Sequence, residues 1–140
     1  MAVISAALIV LAAATAAPAP SAEPAPWWSR VPDVYDGQIF SGRGYAQGTT
    51  EFRRPTPGAG AGLEGSYAFT DADGTKIAGT LSGCAAPTEG NLVCRWRDRY
   101  GDGRAVFVFD AELSGFTGLW FSPSVPKQGM PWTGARRKSE

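Results

Sequence analysis

Histidine is absent from the 140 residues, and only two cysteines occur. Without an imidazole, Ser-His-Asp and Cys-His nucleophilic mechanisms are excluded, and the usual co-ligand of a cysteine metal site is missing. Nine residues separate Cys84 from Cys94, a spacing that matches no two-cysteine redox motif. No cofactor and no metal are expected. Net charge is absent too, because 13 basic and 13 acidic residues cancel. That balance argues against general nucleic-acid affinity, which needs a net basic surface to displace counterions. Lysine is scarce beside arginine, but in a chain so rich in Ala, Gly and Pro this preference carries little functional weight. No stretch sustains a helical period, so a helical fold is not expected.

The first residues, MAVISAALIVLAAATAAPAP, hold an apolar stretch from Ala2 to Ala14. It is too short to cross a bilayer comfortably and fits the core of a secretory signal, with Ala14-Thr15-Ala16 as the cleavage pattern. No Lys or Arg precedes it, so either the true start lies upstream of Met1, the favoured reading, or the signal is atypical. No cysteine follows it, so a bacterial lipid anchor is not indicated. The reading is a signal peptide at 1–16, a Pro/Ala-rich linker at 17–32, one β-barrel domain at 33–136 and a tail at 137–140. The linker contains APAPSAEPAP, which can bury nothing. An exported chain meets an oxidising compartment, the periplasm or the cell exterior, where Cys84 and Cys94 are expected to form a disulfide. No transmembrane segment is expected in the mature protein.

From residue 37 onward, turn chemistry recurs every eight to twelve residues and the segments between alternate in polarity, as in an antiparallel meander. Leu63, Gly65, Tyr67 and Phe69 share one face, and Ile77, Gly79 and Leu81 share another. Asp73-Gly74 reads as a two-residue hairpin turn between them. GQIFSGRGYAQG reads as one glycine-rich strand bending around a barrel corner. RAVFVFD and FTGLWF supply further strands. The expectation is an all-β fold, a single meander rolled into a small closed or partly open β-barrel of about six to eight strands, since closure removes exposed edges.

Residues 94–109, CRWRDRYGDGRAVFVF, carry the densest signal. A turn at Gly101-Asp102 or Asp102-Gly103 sets Trp96 against Phe107 or Phe109, with Cys94 and Tyr100 on the same, core side. Arg95, Arg97 and Arg99 then point outward beside Val106 and Val108, as stems covering apolar surface or as a binding patch. Neighbouring carboxylates such as Glu64 or Glu112 are expected to offset them. Cys84 falls out of phase with Ile77 and Leu81, so a bulge is expected at Gly83. Asp98 shares its parity with Trp96 and Tyr100, which places it near a barrel mouth or beside an arginine.

Other carboxylates, Glu51, Glu64, Asp102, Asp110 and Glu112, fall at turns or on solvated faces, where unperturbed acids only aid solubility. Asp71-Ala72-Asp73-Gly74 resembles the start of a calcium loop but lacks the closing glutamate, and reads as a turn. The segment from about Leu63 to Arg136 resembles a group of short secreted bacterial β-meander proteins without an assigned activity. The matching pieces are GTLSG at 79–83, the 94–109 stretch, FTGLW at 116–120 and WTGAR at 132–136. The resemblance implies the fold and export and transfers no catalytic residue. Unlike avidin-like proteins, the chain lacks a recognisable set of polar ligand contacts, so biotin binding is not inferred.

Two functions fit these readings. One is an exported, non-enzymatic barrel that binds a small ligand, a glycan or an envelope protein, with a periplasmic hydrolase inhibitor as a subtype. Its candidate binding residues are Arg95, Arg97, Arg99, Asp98, Tyr100 and Trp132, and Trp27, Trp28 and Trp132 are candidate exposed anchors or end caps. The other is a small carboxylate-dependent hydrolase using Asp98 with a partner. Export and oxidation predict that the native protein begins near Ala17 and has a mass two hydrogens below that of its dithiol form. Intact-mass measurement checks both, and free thiols in freshly isolated protein would contradict the second.

Overall fold

The computed structural model describes residues 12–13, 26–54 and 62–138. The expected signal peptide and most of the expected linker lie outside the described residues, save Ala12 and Ala13 of the former. Eight strands follow in order: β1 (Val34–Phe40), β2 (Tyr45–Arg53), β3 (Glu64–Thr70), β4 (Lys76–Thr88), β5 (Asn91–Asp98), β6 (Gly101–Phe109), β7 (Gly115–Phe121) and β8 (Met130–Arg136). Each pairs antiparallel with the next, and β8 returns to β1 to close the barrel. The expected all-β meander is thus a closed up-and-down barrel of eight strands. Among the described residues no helix is long and apolar enough to cross a membrane.

Alternation decides which side chains enter. Leu63, Tyr67, Phe69, Ile77 and Leu81 are buried, as their parity requires. An eight-stranded barrel has an interior that side chains just fill, and here rings fill much of it. Among the described residues seven inward aromatic residues lie directly opposite a glycine on an adjacent strand: Phe52 on Gly65, Phe69 on Gly48, Tyr67 on Gly79, Trp96 on Gly103, Phe107 and Trp132 on the two sides of Gly118, and Phe116 on Gly134. The missing side chain is the ring's space. A Cβ on Gly79 would fall 2.1 Å from Cζ of Tyr67, and one on Gly134 would fall 2.5 Å from the Phe116 ring.

The two ends differ. At one, Tyr35, Phe52, Phe109 and Phe116 pack edge-on at 5.4 to 6.1 Å, and the Tyr35 hydroxyl donates to the Leu113 carbonyl. Trp27–Arg30 form a 3₁₀ turn whose indole Trp27 rests against Phe109, and Val31 is fully buried beneath it. The folded part therefore takes in residues 27–32, which their proximity to the Pro-rich run had assigned to the linker. Trp27 and Trp28 are half-buried caps of this closed end rather than exposed anchors. Arg137 also belongs to it, pairing through both terminal and inner nitrogens with Asp36.

Several local readings change. GQIFSGRGYAQG is a hairpin and not one strand, because Ser41–Gly44 turn the chain between β1 and β2, with Gly42 at φ 92°. The Asp73-Gly74 turn is one residue longer than expected: Asp71 N–H donates to the Thr75 carbonyl, and Gly74 closes the loop at φ 85°. The bulge at Gly83 is present. Ser82 pairs with Arg95 and Ala85 with Val93, so Gly83 and Cys84 together oppose Cys94, and Gly83 has φ 57°. That extra residue swings Cys84 inward, where it is bonded to Cys94.

Because the Tyr67 ring occupies the position of a Gly79 side chain, Gly79→Ala is expected to cost about 1 to 3 kcal/mol by overpacking. Urea melts of parent and variant measure it. A difference within about 0.5 kcal/mol would show that the ring has room to move.

Candidate functional site

In an up-and-down barrel every second connection opens at the same end. The β1–β2, β3–β4, β5–β6 and β7–β8 connections therefore surround one mouth, opposite the packed end. Inside it lies an open cavity of about 350 Å³. Its wall is aromatic. Trp96 and Trp120 meet edge to face at 5.4 Å, and Trp132 lies 4.9 Å from Tyr67. The rim is acidic, with Asp71 and Asp73 from the β3–β4 turn and Asp98 from the end of β5; Arg43 is the one basic residue lining it.

Hydrogen bonds fix the orientation of these groups. Tyr67 donates its hydroxyl to Asp98 Oδ2 at 2.6 Å, while Asp98 Oδ1 accepts the Tyr100 N–H at 2.8 Å. The second bond sets the β5–β6 turn at Arg99-Tyr100 and not within Gly101-Asp102-Gly103. Gly101, at φ 137°, completes it and already pairs with Asp98. Trp96 consequently faces Gly103, with Leu92 opposite Phe107. Tyr100 is exposed on the rim and not on the core side, and its hydroxyl reaches across to Asp71 Oδ2 at 2.7 Å.

The electrostatics follow from these pairs. Burial, then the Asp98 hydrogen bond and its charge, push the Tyr67 hydroxyl far above the ordinary tyrosine range. The hydrogen bond to Asp71 likewise raises Tyr100. The Tyr100 hydroxyl and the Ala72 N–H hold Asp71 below the usual carboxylate range, and bonds to Thr75 do the same for Asp73. The two tyrosines thus stay donors, and Asp71 and Asp73 stay ionised acceptors, through neutral pH. Among the described residues no group of three or more Cys, Asp and Glu side chains stands close enough to hold a metal.

Of the residues singled out in the sequence, Asp98, Tyr100 and Trp132 meet at this cavity. Trp132 is buried, at 2% exposure, and donates its indole N–H to the buried Thr50 hydroxyl, so it lines the wall and is not a surface anchor. Trp120, by parity a core residue, is half-buried at the mouth. Arg95 and Arg97 are exposed on the outer face of the barrel, and Arg99 is in the turn, with its guanidinium 5.7 Å from the Tyr100 ring centre. The three do not form one row. Arg95 pairs with Asp102 at 3.8 Å, since register places Asp102 opposite Arg97 and diagonal to Arg95. Glu64 pairs instead with Arg53, and Glu112 lies at the closed end. Arg104 covers the Phe121 ring at 4.6 Å. Arg95 and Arg104 are thus accounted for by a neighbouring carboxylate and by apolar surface, while Arg97 stands exposed on the outer face.

In the sequence Asp71 and Asp73 read only as turn residues, Tyr67 and Trp120 only as packing residues, and Arg43 does not stand out. Their signal was available in the alternation of turns, because in a meander the first, third, fifth and seventh connections share an end. Comparison of the chain with protein-family models, curated proteins and solved structures finds no match.

The raised Tyr67 gives a pH prediction. A group protonated more strongly in the folded state contributes stability that is complete below the unfolded tyrosine value of about 10 and is lost progressively as pH rises toward the folded value. Absorbance near 295 nm is therefore expected to show a late tyrosine step that coincides with alkaline unfolding. Tyr67→Phe should remove one tyrosine from that step. An undiminished late step would contradict the assignment.

Proposed function

We propose that this is an exported, non-enzymatic barrel that takes up one small organic ligand through its open mouth. The observation that carries this reading is the cavity of about 350 Å³ at one end of a barrel whose other end is packed with rings. Its volume and its aromatic wall with a few placed polar groups are those of a small-molecule site. Export is supported by the leader-like stretch at 1–16 and by a disulfide, which persists in an oxidising compartment. A binding role is favoured over hydrolysis by the state of the acids. A general acid needs a carboxyl raised toward neutral pH, whereas Asp71 and Asp73 are held low by their hydrogen bonds. The mouth also has more to offer a ligand than the outer face, where Arg95 and Arg104 are each engaged within the barrel.

A thermal-shift screen of the purified protein against a small-molecule library, run in parallel on Ser122→Trp, tests this. Ser122 lies on the rim, and an indole there would fill the mouth without entering the packed end. Ligands are expected to raise the melting temperature of the parent and not of the variant. A library without any effect on the parent, or with equal effects on both proteins, would overturn the reading.

A further inference from the structure

Apart from the Arg43 guanidinium, the indole and tyrosine donors of the cavity are spent on the protein itself. All three indoles turn their N–H groups into it: Trp96 to the Phe121 carbonyl, Trp120 to the Phe40 carbonyl and Trp132 to the Thr50 hydroxyl. The Tyr67 and Tyr100 hydroxyls donate to Asp98 and Asp71. The Ser41 hydroxyl faces the Gly44 carbonyl and Asp71. What the wall offers a ligand is therefore ring surface, and what the rim offers is carboxylate oxygen with lone pairs to spare. Three carboxylates face one guanidinium, that of Arg43, which has no ion pair among the described residues.

Resting on the small-ligand reading above, we propose that the ligand is an organic ammonium ion, its charged nitrogen held at the acidic rim by Asp98 and Asp71 and its carbon body lying against Trp96, Trp120 and Trp132. Ring faces attract cations through their quadrupole, and more so where water is excluded. An anion would meet like charge on the rim. A neutral polyol needs donors and acceptors in comparable number, and here the indole and tyrosine donors are committed, which leaves Arg43 alone against three carboxylates among the described residues. The tyrosine bonds also position the acids: each carboxylate is fixed by one tyrosine hydroxyl from another strand or turn, so the rim does not reorganise to accept a cation.

The experiment is calorimetric titration of the purified protein with matched pairs. Choline is compared with 3,3-dimethylbutan-1-ol, and 2-phenylethylammonium with 2-phenylethanol, with glucose and benzoate as further probes. At least one ammonium is expected to bind about tenfold more tightly than its neutral isostere. Asp98→Asn should abolish that preference. Because Asp98 also helps to set a turn, Arg43→Ser provides a variant that loses no hydrogen bond or ion pair among the described residues, and it should tighten ammonium binding severalfold. An alcohol, glucose or benzoate that binds as well as the ammonium ions would overturn the charge assignment while leaving the cavity as a binding site. Absence of binding by every ammonium probe would also overturn it, and the library screen with Ser122→Trp then decides separately whether the mouth binds anything. Unchanged or weaker ammonium binding by Arg43→Ser would likewise count against it.

Discussion

The fold depends on the pairing of inward rings with glycines on the neighbouring strand. Closing eight strands fixes the interior width, and a ring at every inward position would not fit within it. Alternating a ring with an empty position lets each aromatic lie over its neighbour's backbone, so large residues layer along the barrel without widening it. The cost falls on the glycine positions, where any side chain displaces a ring. The gain is a core whose buried area is aromatic in a domain of only about a hundred residues, a size at which a core must be efficient.

The same rule sets where the filling stops. Toward the closed end, Tyr35, Phe52, Phe109 and Phe116 bring rings from four strands to one level. Toward the mouth the lining passes to turn residues, chiefly aspartate and serine with Arg43 and Tyr100 at the rim, and the axis is left open. Trp132 and Tyr67 form the boundary. Trp132 is anchored below by Thr50 and Tyr67 above by Asp98, so the floor of the cavity is connected to its rim through one buried and one half-buried polar bond. Buried polar groups so matched favour one arrangement over others of similar packing.

Much of this was legible in the sequence, and the misses have local causes. Period-two alternation placed Leu63 to Phe69 and Ile77 to Leu81 on the inner face, and a conflict of parity between the cysteines located the bulge at Gly83. The turn after Trp96 was displaced because Gly-Asp-Gly is the stronger turn signal in isolation. A carboxylate at Asp98 outweighs it by accepting the Tyr100 N–H. Asp73-Gly74 was assigned a two-residue loop, although Asp71 also accommodates the longer one. Asp98, Tyr100 and Trp132 were recognisable as unusual, yet their convergence depends on barrel closure. Tyr100 and Asp71 are 29 residues apart, and Tyr67 and Asp98 are 31 apart; no local spacing joins them.

Both described chain ends leave from the closed end. Trp27 packs under Phe109, and Arg137 donates its N–H to the Val34 carbonyl at the base of β1. The four connections around the mouth are internal to the chain, and neither end of the described chain passes near them. A fusion partner joined directly at Trp27 or Lys138 would sit at the packed base, on the side away from the opening. The barrel has the geometry of a cup whose chain enters and leaves at the base.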